Sequence, residues 1–298
     1  MDCNWLDRTE YPFESRFFDV NGHRLHYIDE GKGPVLLFVH GTPSWSFDFR
    51  NVIKQLSSDY RCIAVDHIGF GLSDKPRDYD YSTINHSRTL ERFIKEMNLR
   101  EVNLIVHDFG GPIGFHYAIN HPENVDKIVV INSWLWSTRG DADFQRMRKL
   151  IESPLMPFLY RYLNMSVRFL LPRSFGDNKM PRATWRQYAG PYRRMRDRTG
   201  LISFASSLVK DQDWFESVWN MRQNLKEKDV LFVWGMKDSF VKPEMLEKFH
   251  WGFPHAKVVR FPTAGHFPQE EDPEGVATAI MAFLSNRNEL SKVERPAS

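Results

Sequence analysis

Three polar residues carry the chemistry this chain can do: Asp108, Asp238 and His266. Asp108 lies in Val106-His107-Asp108-Phe109-Gly110-Gly111. The apolar run Val102–Val106 before it reads as a buried strand, and Pro112–Ala118 after it reads as the first turns of a helix. A strand that turns sharply into a helix beside small residues is the layout of a nucleophile elbow. A carboxylate at that position can be displaced onto a substrate carbon, giving a covalent ester. An aspartate capping a helix is the plainer reading, and two residues downstream weigh against it. Asp238 follows the strand-like run Val230–Trp234, and His266 follows Lys257–Phe261. Asp238 alone could cap a turn, and His266 alone could be a surface histidine. Nucleophile, acid and histidine in that order, each just past a strand, form a catalytic triad.

The elements that must position them alternate. Ser15–Val20 and Leu25–Asp29 read as strands joined by an Asn21-Gly22 turn, a hairpin signal. Val35–Val39 is an unbroken apolar run, as in a strand buried on both faces. It ends in His40-Gly41-Thr42-Pro43-Ser44-Trp45-Ser46-Phe47, a loop able to offer backbone N–H groups to an anion. Arg61–Val65 and Lys127–Ile131 read as further strands, and Asn85–Met97 has helical spacing. Strands alternating with helices imply a parallel sheet covered on both faces, with ligands at the carboxyl ends of its strands. The alternation breaks after Asn132. From Trp134 to Trp214 there is helical spacing and no strand-like run. We read residues 134–214 as a helical cap domain inserted into a core domain of residues 1–133 and 215–298. Asp272-Pro273 opens the last helix, which runs through Leu284, and the polar tail after Asn286 is expected to fray.

With 298 residues, 42% apolar and 26% charged, the composition is that of a folded globular protein. A formal net charge of +2 gives no global reason to expect nucleic-acid or membrane binding. The charge is uneven: from Trp134 to Asp213 there are 15 Lys+Arg against 7 Asp+Glu, densest in Arg193-Arg194-Met195-Arg196-Asp197-Arg198. A solvated face is the ordinary meaning of such a run; attraction of an anionic substrate or partner is the sharper one. Fourteen per cent aromatic residues, with nine Trp, suit an aromatic core and an apolar pocket alike. Cys3 and Cys62 fit neither metal spacing nor a disulfide framework. The N-terminal stretch shows no secretory signal and no apolar run approaches a membrane span, so a cytoplasmic protein is expected. The aspartate nucleophile sets a small hydrophobic electrophile as the expected substrate, and a monomer or homodimer is expected.

Over nearly its whole length the chain resembles the α/β-hydrolase superfamily, and within it the haloalkane dehalogenases and their epoxide hydrolase relatives. The residues that carry the resemblance are His40-Gly41-Thr42-Pro43, the run Asp66-His67-Ile68-Gly69-Phe70-Gly71-Leu72-Ser73-Asp74-Lys75-Pro76, His107-Asp108-Phe109-Gly110-Gly111, Gly235-Met236-Lys237-Asp238 and Ala264-Gly265-His266-Phe267. The resemblance implies a mostly parallel eight-stranded sheet flanked by helices and capped by the insertion. It implies Asp108 as nucleophile, His266 as base, and an oxyanion hole from the Thr42 and Phe109 N–H groups, with no metal or organic cofactor. Such enzymes place the acid after the sixth or the seventh strand. Ile131-Asn132-Ser133 carries no carboxylate, so the acid is Asp238.

Two departures bear on substrate. Dehalogenases have tryptophan directly after the nucleophile, where this chain has Phe109, and asparagine or glutamate where it has Thr42. The Thr42 hydroxyl, Trp134, Trp136 or Trp185 could hold a departing halide instead. Epoxide hydrolases use two cap tyrosines, for which Tyr160, Tyr162, Tyr188 and Tyr192 are available; Tyr188 joins the three tryptophans as a candidate substrate contact. The β-lactone decarboxylases resemble the chain in the aspartate triad and in Gly71-Leu72-Ser73-Asp74-Lys75-Pro76, and some members of the superfamily bind ligands without catalysis; both readings stay open. No Gly-x-Ser-x-Gly occurs, which argues against a serine esterase, and the arginine that haloacetate dehalogenases place beside the nucleophile is absent.

Overall fold

The computed structural model describes residues 4–285; Cys3 and the polar tail from Asn286 onward lie outside the described residues. Eight strands make one sheet: β1 (Arg16–Val20), β2 (His23–Glu30), β3 (Val35–Val39), β4 (Arg61–Val65), β5 (Val102–Asp108), β6 (Val125–Ser133), β7 (Asp229–Gly235) and β8 (Lys257–Phe261). Their order across the sheet is β1-β2-β4-β3-β5-β6-β7-β8. β2 runs antiparallel to β1 and β4, and every other pairing is parallel. This is the expected mostly parallel eight-stranded sheet. At the β1–β2 turn Asn21 (φ 53°) and Gly22 (φ 84°) both adopt the left-handed conformation that a two-residue hairpin demands.

The apolar runs become central strands because helices cover both faces. Every residue of β5 is buried, and Leu104, Ile105 and Val106 lie between Leu37, Phe38 and Val39 of β3 and Ile128, Val129 and Val130 of β6. The helix Gly110–Asn120 lies behind the elbow and packs on Thr83–Glu96. That second helix starts two residues before the expected Asn85, since Ser82 accepts the Asn85 N–H at 3.3 Å and so moves the start to a polar cap that apolar spacing does not register. The last helix, Pro273–Leu284, opens as expected, with Asp272 accepting the Gly275 N–H at 2.9 Å.

Between β6 and β7 the described residues form helices and turns only: Ala142–Ile151, Leu155–Leu163, Arg182–Ala189, Thr199–Lys210 and Gln212–Asn220 are its main α-helices. This segment is tied to the sheet's carboxyl edge beside His266. Ser174 accepts the His266 N–H at 2.7 Å, and the Glu271 carboxylate bridges the Gly265 N–H (2.7 Å) and the Gly176 N–H (3.0 Å). Burial pushes the Glu271 carboxyl up to about 7 despite those two donors. Five adjacent strands, β3, β5, β6, β7 and β8, therefore deliver their carboxyl ends to one line, under the helical segment.

Candidate active site

Asp108 ends β5 with φ 52°, a left-handed backbone that costs a non-glycine residue about 1–3 kcal/mol. The strain is accommodated by neighbours that leave room for nothing else. A Cβ on Gly110 would strike the Val39 carbonyl, and one on Gly41 would strike the Asp108 carboxylate itself. The glycines of the two motifs are thus required by close approach of the β3 loop to the elbow. The Ser133 hydroxyl donates to the Asp108 carbonyl at 2.6 Å and pins the turn from β6.

The carboxylate is held from two sides. Asp108 Oδ1 accepts the Thr42 N–H at 2.8 Å, and Oδ2 lies 3.3 Å from His266 Nε2. On the other face of the imidazole, Nδ1 lies 2.6 Å from Asp238 Oδ2. Asp238 is anchored in turn: Oδ1 accepts the N–H groups of Phe240 (2.7 Å) and Val241 (3.0 Å), and Oδ2 accepts from Asn132 Nδ2 at 2.9 Å. The three residues read from the sequence come together as a connected triad, each 4–7% exposed, so water screens them weakly. Burial works against a charged His266, but the carboxylates of Asp238 and Asp108 outweigh it and raise the imidazole from 6.5 to about 10. The resting site therefore favours the protonated imidazole, which lies between Asp108 and Asp238.

Asn132 is the site residue that sequence reasoning missed. It sits at the end of β6 with φ 28°, accepts the Gly235 N–H at 2.8 Å, and donates to Gly235 O at 3.2 Å as well as to Asp238. The amide stitches β6 to β7 and fixes the acid's rotamer. The signal in the sequence is an asparagine at the strand end where related enzymes place a carboxylate; an amide there, not a charge, is what supports the acid. Replacing Asn132 with leucine should lower kcat by one to two orders of magnitude by loosening Asp238, roughly the cost of a buried hydrogen bond to a charge. Steady-state kinetics across pH, with thermal melts, would separate this from unfolding. His107, inside the elbow motif, is a second supporting residue; its Nε2 lies 2.8 Å from the His266 carbonyl and its Nδ1 3.0 Å from Asp48 Oδ2, which seats the His266 turn from below.

A cavity of about 550 Å³ opens over Asp108. Thr42, Asp108, Phe109, Trp134 and His266 line it around the elbow, and Tyr160, Met147, Leu150, Met156 and Leu170 are among the side chains that extend its mostly apolar walls. Phe109 is stacked on Phe204 at 4.6 Å and meets Trp134 edge-on at 4.9 Å. Two buried polar groups of this wall, Trp134 Nε1 and Thr42 Oγ1, have no protein hydrogen-bond partner. Other candidates lie elsewhere. Trp136 is packed edge-on against Trp219 and Phe249, both at 5.0 Å, because the end of β6 turns its ring away from the cavity. Trp185 spends its indole N–H on the Val167 carbonyl at 2.9 Å. The Tyr188 hydroxyl donates to Glu270 at 2.9 Å, whose carboxylate is paired in the interior with Arg50. Tyr162 is exposed, and the Tyr192 hydroxyl points to the Ser44 carbonyl at 3.4 Å. Of the eight candidate contacts only Thr42, Trp134 and Tyr160 line the cavity. Among the described residues no cluster of three or more His, Cys, Asp or Glu could hold a metal, and no helix is long and apolar enough to cross a membrane.

Comparison with known proteins agrees with this geometry. Residues 34–273 match the alpha/beta hydrolase fold family. The chain is 32% identical over 277 residues to haloalkane dehalogenase 2 of Mycobacterium tuberculosis, covering 92% of this chain and 96% of that one. It is 31% identical over 309 residues to a cis-3-alkyl-4-alkyloxetan-2-one decarboxylase of Shewanella oneidensis, covering 97% and 94%. The crystal structure of the haloalkane dehalogenase DatA from Agrobacterium tumefaciens superposes with a TM-score of 0.83 at 23% identity, over 92% of this chain and 96% of that one. The eight-stranded sheet, the aspartate at its elbow and the full-length match together place this chain in the α/β-hydrolase superfamily, as a haloalkane dehalogenase-like hydrolase.

Proposed function

We propose that the protein hydrolyses haloalkanes to alcohol and halide through an alkyl ester on Asp108. One observation carries this reading: Asp108 and His266 meet in the wall of a mostly apolar cavity, with Asp108 Oδ1 already held by the Thr42 N–H. Oδ2, the oxygen nearer His266, attacks the carbon and the halide leaves with the bond pair. The ester then has Oδ1 as its carbonyl oxygen, in the oxyanion hole that Thr42 N–H and the Phe109 N–H form. With Oδ2 esterified, the imidazolium first gives its Nε2 proton to solvent; the neutral Nε2 then takes a proton from water, whose oxygen attacks the ester carbon, while Asp238 stabilises the imidazolium formed. The tetrahedral adduct expels the alkoxide, which takes the imidazolium proton and leaves as alcohol, and the new Asp108 carboxyl proton returns to His266. Residues 134–214 serve as the cap that supplies the apolar walls. The substrate class is a small hydrophobic electrophile.

Phe109 offers no donor to the leaving halide, so the unpaired Trp134 N–H and Thr42 O–H are the groups left to do so. Trp134→Phe should then lower halide release about tenfold, more for chloride than for bromide, while leaving the melting temperature nearly unchanged. The epoxide reading is the weaker one, since Tyr160 lines the cavity without Tyr162, Tyr188 or Tyr192. The β-lactone decarboxylase reading draws on the Shewanella relative and on the missing tryptophan at position 109. Halide, diol and carbon dioxide release should be measured side by side from bromoalkanes, aryl epoxides and dialkyl β-lactones, with Asp108→Ala as control. Halide release lost in the variant supports the dehalogenase; carbon dioxide release alone would replace it with the decarboxylase.

A further inference from the structure

Among the described residues, eleven large apolar side chains are left exposed, and eight of them lie between Met147 and Met195. They are not scattered. On the helix Leu155–Leu163, Met156 and Tyr160 face the cavity while Leu155, Phe158 and Tyr162, at the i, i+3, i+7 spacing of one helical stripe, are 51%, 49% and 54% exposed. The rings of Phe158 and Tyr162 touch at 5.0 Å, so the stripe is continuous. On the preceding helix Met147 and Leu150 are both exposed and part of the cavity wall, which sets the cavity's mouth beside the apolar surface. At the far end Tyr162 borders an open recess with Met195, Arg77, Arg161, Arg194 and Arg196. An apolar stripe ending in clustered guanidinium groups is what an interfacial helix presents to a charged bilayer: the side chains enter the acyl boundary and the arginines take lipid phosphates.

We propose that this face of the helical segment docks on an anionic lipid bilayer, delivering apolar substrate from the lipid into the cavity. Charge complementarity singles out that occupant. The segment carries 15 Lys+Arg against 7 Asp+Glu within a chain of net charge only +2, so whole-chain charge conceals a basic segment, three of whose arginines border the recess beside Tyr162. The proposal is independent of which electrophile the site attacks.

The full chain should float with phosphatidylcholine vesicles containing phosphatidylglycerol and remain unbound with phosphatidylcholine alone, and added salt should release it. Leu155→Ser with Phe158→Ser, and separately Arg194→Glu with Arg196→Glu, should each weaken vesicle binding about tenfold or more. Turnover of a water-soluble substrate should be unchanged in both, because none of the four side chains lines the cavity. Equal binding to neutral vesicles, or none to anionic ones, would overturn the proposal without any variant. So would capture by soluble heparin that the serine pair leaves intact, which points to a polyanion, or a dimer that the serine pair dissolves while vesicles stay unbound, which points to a second copy.

Discussion

Replacing His266 with phenylalanine is expected to turn the enzyme into a single-turnover reagent. The first step needs only an ionised Asp108 and an electrophile in the cavity, so one equivalent of leaving group should appear per site. The second step needs an unprotonated nitrogen at the position of Nε2, 3.3 Å from Asp108 Oδ2, and phenylalanine has none. Steady-state turnover should fall by about 10⁴, and the peptide bearing Asp108 should gain the mass of the alkyl group. The imidazole's own chemistry explains why the two steps separate so cleanly. In the resting site two carboxylates hold the proton on His266, whose pKa is about 10. Alkylation converts one of those carboxylates into a neutral ester, and the imidazolium loses a partner at the moment when a free base is required. The covalent step thereby switches on the group that completes the cycle. A His266→Phe protein that still turns over, or that gives no initial equivalent, would remove His266 from this role.

What the sequence disclosed follows from how locally each feature is encoded. A buried parallel strand must be a largely apolar run, so β3, β5 and β7 were legible, and with them the loops at their carboxyl ends. The edge strand β8 was legible from its β-branched pair Val258-Val259 and Phe261, although Lys257 and Arg260 interrupt the run. Gly41 and Gly110 marked a close approach that the fold then showed to be between the β3 loop and the elbow. Asn132 was not legible, because its role depends on a partner 106 residues away and on a backbone with φ 28° that its identity does not announce. The cap candidates failed for a related reason. Trp136, Trp185 and Tyr188 have the chemistry for substrate contact, yet which way a ring points is set by tertiary packing. Trp134 differs from Trp136 by two positions and only it lines the cavity, since the chain leaves β6 at Ser133 and turns between them.

Asp108→Asn carries the second large effect, and its signature extends beyond lost activity. Asparagine has the shape to keep the Thr42 N–H bond at Oδ1 and tolerates a positive φ, so the fold should survive. It is far poorer as a nucleophile, and turnover should fall by about 10⁴ or more with no initial equivalent of leaving group, unlike His266→Phe. The variant also removes one of the two charges that raise His266. A histidine raised from 6.5 in the unfolded chain to about 10 when folded adds stability that is complete below 6.5 and is lost as pH climbs through 10. In the parent protein that loss should be spread over the interval from about 6.5 to about 10 and amount to on the order of a few kcal/mol. With only Asp238 facing the ring, the folded pKa falls, and the upper end of the interval moves down with it. Melting temperatures taken from pH 6 to 10 (about the span over which His266 titrates) should drop earlier and by less in Asp108→Asn than in the parent. Identical profiles would mean that Asp108 does not share the His266 proton, and the imidazolium bridge between nucleophile and acid would have to be abandoned.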